Sequence, residues 1–263
     1  MIQKMLLFYA VVRGRWLLFG ACLFWLAQAP PCLADGLRYT VTNALPHDPA
    51  AFTQGLLLKD GLFYESTGLY GQSSLRRVDP AMGKVLARRD LAPDLFGEGL
   101  AYWKGKLYQL TWQSGVVLVY DAKTLAPAGT LPLETEGWGA ASTPSGIVTS
   151  DGSDTLTWRD PATFKLVRTL HVTDHGRPVK LLNALAWVEG SVFANVWHDD
   201  RIAVIAPDTG RVTAWLDGAR LRVLAGNPPG ETDLNGIAWD PVRKRLYVTG
   251  KLWPKIFELS LTR

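Results

Sequence analysis

A unit that recurs every 40 to 52 residues constrains this 263-residue sequence more than any other feature. Each copy opens with a short polar segment containing glycine or a small residue, then runs through an apolar stretch, a turn and a second apolar stretch. Five copies stand in the chain: FTQGLLLKDGLFYEST from Phe52, FGEGLAYWKGKLYQLTW from Phe96, EGWGAASTPSGIVTSDG from Glu136, LNALAWVEGSVFANVW from Leu182 and LNGIAWDPVRKRLYVTGK from Leu234. Their lead residues, Gln54, Glu98, Trp138, Asn183 and Asn235, are 44, 40, 45 and 52 positions apart. The first four copies are each followed by a second pair of β-rich runs, such as VLVYDAKTLAPAGTLPL, and turn residues such as Asp60-Gly61 and Lys104-Gly105 separate the runs, as hairpins require. Four strands in about 40 to 45 residues cannot bury both faces of their sheet until neighbours stack around an axis, which is the blade of a β-propeller. The last copy continues for one further strand only, KIFELSL, while a spare strand, LRYTVTN, precedes the first copy. The two ends are therefore expected to share a blade and close the ring, leaving no naked edge strand. Helical periodicity is absent. The expected fold is all-β, a five-bladed propeller closed by its N- and C-terminal strands, with a sandwich or an open β-solenoid as the competing architectures.

Residues 1–34 have a different character. They carry Lys4, Arg13 and Arg15 with no acidic residue, an apolar run from Trp16 to Ala27, and the small residue Ala34 before Asp35. That order is expected of a secretory signal peptide. An uncleaved anchor is the other reading, since only Arg13-Gly14-Arg15 interrupts the stretch from Met5 to Ala27. The expected organisation is a leader over 1–34 and one propeller over 35–263, exported to the periplasm or secreted, and monomeric. Both cysteines, Cys22 and Cys32, fall in the leader, so the remainder has no disulfide, thiol nucleophile or sulfur ligand. Three of the 28 basic residues also lie there, leaving 25 against 24 acidic ones and reducing the formal charge from +4 to +1. No Lys/Arg run interleaved with aromatics remains to follow a phosphate backbone, which argues against a nucleic-acid partner.

In a propeller the innermost strands line the central channel, so the lead residues converge at one mouth. Gln54, Glu98, Trp138, Asn183 and Asn235, with Phe52, Phe96, Trp112, Trp197 and Lys251 at related repeat positions, would make a pocket of aromatic walls with a few polar groups, the usual composition of a small-ligand site. The four histidines, His47, His171, His175 and His198, show neither HExxH nor HxH spacing, so metal hydrolysis loses support and exposed loop histidines are the plainer reading. The sequence also has no G-x-S-x-G elbow and no phosphate-cradling glycine loop on a strand-to-helix turn. Glu98, between Gly97 and Gly99, is the one carboxylate among the lead residues. Burial would raise its pKa and suit it to general acid/base work; taken alone, it is more simply a hydrogen-bonded turn carboxylate. Lys251 reads either as a cation that polarises a carbonyl or as a solvated strand-end lysine. The tryptophans stack a substrate or fill gaps between blades, and Gln54, Asn183 and Asn235 bind an amide or satisfy backbone groups at the blade starts. Two noncatalytic or unrelated uses stay open on these grounds: a propeller that only binds a partner, and a calcium-dependent lactonase, which would need several carboxylates at the channel.

At these same segments the chain resembles the plant and bacterial glutaminyl-peptide cyclotransferases. The resemblance rests on FTQGL, YESTGLYGQSSLR, FGEGLAYW, LYQLTW, EGWG, SDGS, ANVW, LNGIAWD and VTGKLWP and spans Leu37 to Leu261. It implies a five-bladed propeller with a central active site, conversion of the amino-terminal glutamine of peptides or proteins to pyroglutamate with release of ammonia, and no metal or other cofactor. It also implies that Glu98 is the catalytic glutamate, that Lys251 and Asn183 are polar substrate contacts, and that Phe52, Gln54, Phe96, Trp112, Trp138 and Trp197 form the pocket wall. The family usually reads LNELE where this chain has Leu182-Asn183-Ala184-Leu185-Ala186, so two glutamates are absent beside Asn183.

Overall fold

The structure is a computed structural model, described over residues 35–262; the expected leader lies outside the described residues. The chain enters through β1 (Asp35–Gly36) and β2 (Arg38–Pro46) and then builds four-stranded antiparallel sheets. Blade 1 holds β3 (Thr53–Lys59), β4 (Leu62–Thr67), β5 (Ser74–Val78) and β6 (Val85–Asp90), and blade 2 holds β7 (Gly97–Trp103), β8 (Lys106–Thr111), β9 (Val116–Asp121) and β10 (Pro127–Pro132). Blade 3 holds β11 (Ala140–Thr143), β12 (Gly146–Ser150), β13 (Thr155–Arg159) and β14 (Leu166–His171). After a small hairpin of β15 (Thr173–Asp174) and β16 (Arg177–Pro178), blade 4 holds β17 (Leu182–Val188), β18 (Ser191–Val196), β19 (Arg201–Ile205) and β20 (Val212–Asp217). Blade 5 holds β21 (Leu234–Asp240), β22 (Arg245–Gly250) and β23 (Lys255–Thr262), with β2 as its outermost strand.

The ring closes as the two spare strands suggest. β2 pairs antiparallel with β23 from Arg38↔Thr262 to Pro46↔Lys255. Two residues earlier the chain also pairs in parallel with β20, through Asp35↔Ala214 and Gly36↔Trp215, so the N-terminal segment ties blade 5 to blade 4. These pairings give the C-terminal strand β23 a neighbour on each side and place β2 at the outer rim of the ring, level with the outermost strands of the other blades.

Apolar side chains fill the seams between blades rather than a single central core. One cluster, with Phe193, Leu216, Leu234 and Trp253, packs blade 4 on blade 5, and the four other clusters occupy the four other seams. Burial falls from the axis outward. The inner strands β7 and β17 are almost wholly buried, while the outer strands β10 and β14 are mostly exposed. Each sheet is covered on both faces only where neighbouring blades crowd together, and this makes the ring a cooperative solution to burial.

The absence of helical periodicity holds for all but one short element. α1 (Ala219–Leu224) lies between β20 and β21 and is anchored by the buried Leu221. It is too short to leave a periodic signature, and its insertion accounts for the 52-residue spacing, the longest in the repeat.

Candidate active site

Four of the five lead residues sit where the inner strand breaks register with its neighbour. The irregularities fall between Thr53 and Gly55, Gly97 and Leu100, Leu182 and Leu185, and Leu234 and Ile237, bracketing Gln54, Glu98, Asn183 and Asn235. A bulge bends the strand and re-aims a side chain that regular pleating would bury between blades. Close approach of inner strands completes the arrangement. A Cβ at Gly99 would lie 2.5 Å from the Ala140 nitrogen, and one at Gly139 would lie 1.9 Å from the Asn183 carbonyl oxygen, so any side chain there would force the blades apart.

The result is a pocket of about 280 Å³ at one mouth of the channel. Phe52, Gln54, Phe96, Glu98, Trp112, Trp138, Asn183, Trp197 and Lys251 all line it, together with Leu69 and Glu231. Asn235 does not. Its amide donates to Gln54 Oε1 at 2.7 Å and to the Thr53 carbonyl at 3.1 Å, and its own oxygen accepts from the Ala184 backbone N–H at 3.3 Å, so it works beneath the pocket as a brace.

Glu98 is 5 % exposed. Gln54 Nε2 donates to its Oε1 at 2.8 Å, which completes a chain from Asn235 through Gln54 to the carboxyl. Burial pushes the Glu98 pKa well above the ordinary carboxylate range; the charge of Lys251 opposes this and that of Glu136 adds to it. Lys251 is buried too, at 3 % exposure, and its ammonium pairs with Glu231 at 3.3 Å and Asp233 at 3.5 Å. The same ammonium lies 4.8 Å from the Phe52 ring centroid and 5.7 Å from that of Trp197, within cation–π range. The sequence reading of Lys251 as a solvated strand-end residue is thereby excluded. Asn183 lines the pocket, and its Oδ1 is buried with no hydrogen-bond partner.

The walls are fixed from behind. Phe96 meets Phe52, Tyr70 and Trp112 edge-on, and Trp138 meets Trp197 edge-on at 5.5 Å. Trp112 Nε1 and Trp138 Nε1 both donate to Glu136 Oε2 at 2.9 Å, and Trp197 Nε1 donates to Asp233 Oδ2 at 3.0 Å. Sequence reasoning singled out the three tryptophans and missed their carboxylate partners. The signal for Glu136 was present in EGWG, where it stands two residues before Trp138; nothing in spacing marked Asp233 or Glu231.

The histidines divide. His171, His175 and His198 are exposed, as the plainer reading expected, although His171 ends strand β14 rather than lying in a loop. His47 is not: it is 7 % exposed and lies 2.8 Å from Glu65. Among the described residues no three His, Cys, Asp or Glu are grouped to hold a metal ion. Ala184 and Ala186, in place of the family's glutamates, are buried, and Ala186 packs in the apolar seam between blades 4 and 5. Lys251 draws its counter-charges from Glu231 and Asp233.

Comparison with known proteins gives one consistent answer. A family model described as glutamine cyclotransferase matches residues 19–261. The chain is 42 % identical over 226 residues to a glutaminyl-peptide cyclotransferase of Arabidopsis thaliana, an alignment covering 84 % of this chain and 70 % of the relative. It is also similar to the crystal structure of Myxococcus xanthus glutaminyl cyclase, with a TM-score of 0.80 and 35 % identity over 87 % of this chain and 100 % of the other. A propeller whose bulged inner strands present a sealed glutamate to an aromatic pocket is thus set among its relatives: the chain belongs to the glutamine cyclotransferase family.

Proposed function

We propose that this protein converts the amino-terminal glutamine of peptides and proteins to pyroglutamate, with Glu98 as the general acid/base. The observation that carries this reading is the setting of Glu98: almost wholly buried at the pocket wall, hydrogen-bonded to a neutral amide, and raised by burial more than the charge of Lys251 lowers it. A carboxyl so placed keeps its proton to higher pH than an ordinary carboxyl, which suits a group that must both give and take one. The reaction needs nothing more elaborate. The α-amine attacks its own γ-carboxamide carbon, a carbon–nitrogen bond forms, and the bond to the amide nitrogen breaks. Glu98 takes a proton from the attacking nitrogen and returns one to the departing nitrogen, which leaves as ammonia.

Lys251 and the Asn183 amide face the carbonyl oxygen as it gains charge. Phe52, Phe96, Trp112, Trp138 and Trp197 hold the glutaminyl side chain folded back on its own amine, and Gln54 orients Glu98. No step calls for a metal, and export is part of this reading, supported by the leader pattern in residues 1–34.

The test is ammonia release from a glutamine-initiated peptide by the purified protein, with and without a strong chelator. We expect a product lighter by one ammonia, formed at the same rate in both samples. A folded sample that binds such peptides and releases no ammonia would move the protein to the noncatalytic binding reading.

A further inference from the structure

The wall carboxylate Glu136 joins two blades at the pocket. Trp112 follows β8 of blade 2 and Trp138 precedes β11 of blade 3, and both indole N–H groups donate to the same oxygen, Glu136 Oε2, at 2.9 Å. Gln113 Nε2 donates to the other oxygen at 2.8 Å. Three N–H donors converge on one carboxylate, and two of them belong to rings that line the pocket with Glu98. An indole N–H has no alternative use beyond donation, so the carboxylate fixes the orientation of both rings at once. We propose that Glu136 is a positioning residue with two separable effects: it locks Trp112 and Trp138 as adjoining walls for the glutaminyl side chain, and it keeps a permanent negative charge beside the proton-transfer site.

The permanence of the charge follows from its partners. Burial works to raise the Glu136 pKa, but the bonds from Trp138, Gln113 and Trp112 outweigh it and hold the carboxyl below its ordinary range. Glu136 is therefore ionised wherever Glu98 titrates, and its charge is one of the influences that raise Glu98. Neighbouring carboxylates whose surroundings drive their proton affinities apart have divided duties: here Glu136 is the fixed charge and Glu98 the exchanging one. The electrostatic half of this inference rests on the acid/base reading of Glu98; the clamp on the indoles does not.

Two substitutions separate the effects. Glu136→Gln keeps an oxygen for the indoles and removes the charge, whereas Glu136→Ala removes both. The readout is the carbon-13 titration of the Glu98 carboxyl, identified by its loss in Glu98→Gln, alongside kcat/KM for a glutamine-initiated peptide across pH. In Glu136→Gln the Glu98 resonance should titrate at lower pH than in the parent. The acid limb of kcat/KM should move the same way, since the substrate amine contributes equally to both proteins. In Glu136→Ala, kcat/KM should fall on the order of tenfold to a hundredfold as the two walls lose their orientation. An unmoved Glu98 titration in Glu136→Gln would overturn the electrostatic half, and a Glu136→Ala variant with the parent's kcat/KM would overturn the clamp. The titration needs no turnover, so a fully active Glu98→Gln would sink the acid/base reading without deciding the role of Glu136.

Discussion

Glu65 and Glu98 are the same residue type at nearly the same depth, 2 % and 5 % exposed, and they have opposite proton affinities. Glu65, on β4 of blade 1, is met from all sides. His47 Nε2 lies 2.8 Å from Oε1, Thr53 Oγ1 donates to the same oxygen at 2.7 Å, and Arg76 Nη1 is 3.9 Å from Oε2. The other His47 nitrogen, Nδ1, lies 2.6 Å from the Trp253 carbonyl, which can only accept, so Nδ1 carries a proton and Nε2 is left to the Glu65 carboxyl. Burial alone would raise Glu65 and lower His47; their mutual attraction reverses both, leaving Glu65 below and His47 above their usual values. Glu98 is given an amide where Glu65 is given cations. Burial therefore decides its state, and the pocket holds a carboxyl that exchanges protons while the blade seam holds one that does not.

That contrast can be broken most severely at Glu98. Glu98→Gln should lower kcat/KM by roughly a hundredfold to ten-thousandfold, the span of a general acid/base contribution. Its folded pKa is raised, so the native state holds the extra proton between the unfolded and folded values, and its contribution to stability is present at low pH and lost as pH rises through the folded value. Removing the carboxyl removes that loss, and Glu98→Gln should melt no lower than the parent at neutral pH. A variant that loses activity by unfolding would contradict this.

Glu65→Gln should do the reverse. It breaks the buried network of Glu65 with His47 and Arg76 and should cost up to about 3–5 kcal/mol of stability in urea unfolding, with activity lost only in proportion to unfolded protein. The pH dependence follows with its sign. The raised His47 contributes stability that is lost as pH rises through its folded value, and the lowered Glu65 contributes stability that is lost as pH falls through its folded value. The parent should therefore be most stable between those limits, and the variant should show a flatter melting profile across them. Trp138→Ala is a smaller perturbation of the pocket alone. It should raise KM on the order of tenfold through the lost aromatic wall, and an effect confined to kcat would mean that the ring serves the proton transfer rather than the substrate.

The ring of five blades was legible in the sequence because every copy repeats one burial problem, and the spare strand LRYTVTN had a single place to go. The pocket was legible for the same reason: lead residues at equivalent positions must converge. What stayed hidden depends on partners far apart in the chain. The bulges at Gln54, Glu98, Asn183 and Asn235 are backbone features that apolar alternation does not encode. His47 looked like any loop histidine, because its partner Glu65 and the Trp253 carbonyl lie 18 and 206 positions away. Asp233 and Glu231 sit in the irregular connection after α1, where no repeat marks a position, yet they supply the charges that hold Lys251.

One titration compares the two carboxyls directly. In protein labelled with carbon-13 at the glutamate carboxyl carbons, Glu65 and Glu98 can be followed together from acid to neutral pH, each assigned by its glutamine variant. The account predicts that Glu98 changes state well above the ordinary carboxylate range while Glu65 changes below it. A Glu98 resonance that titrates at or below the position of Glu65 would leave the pocket without a proton-exchanging group and contradict the mechanism.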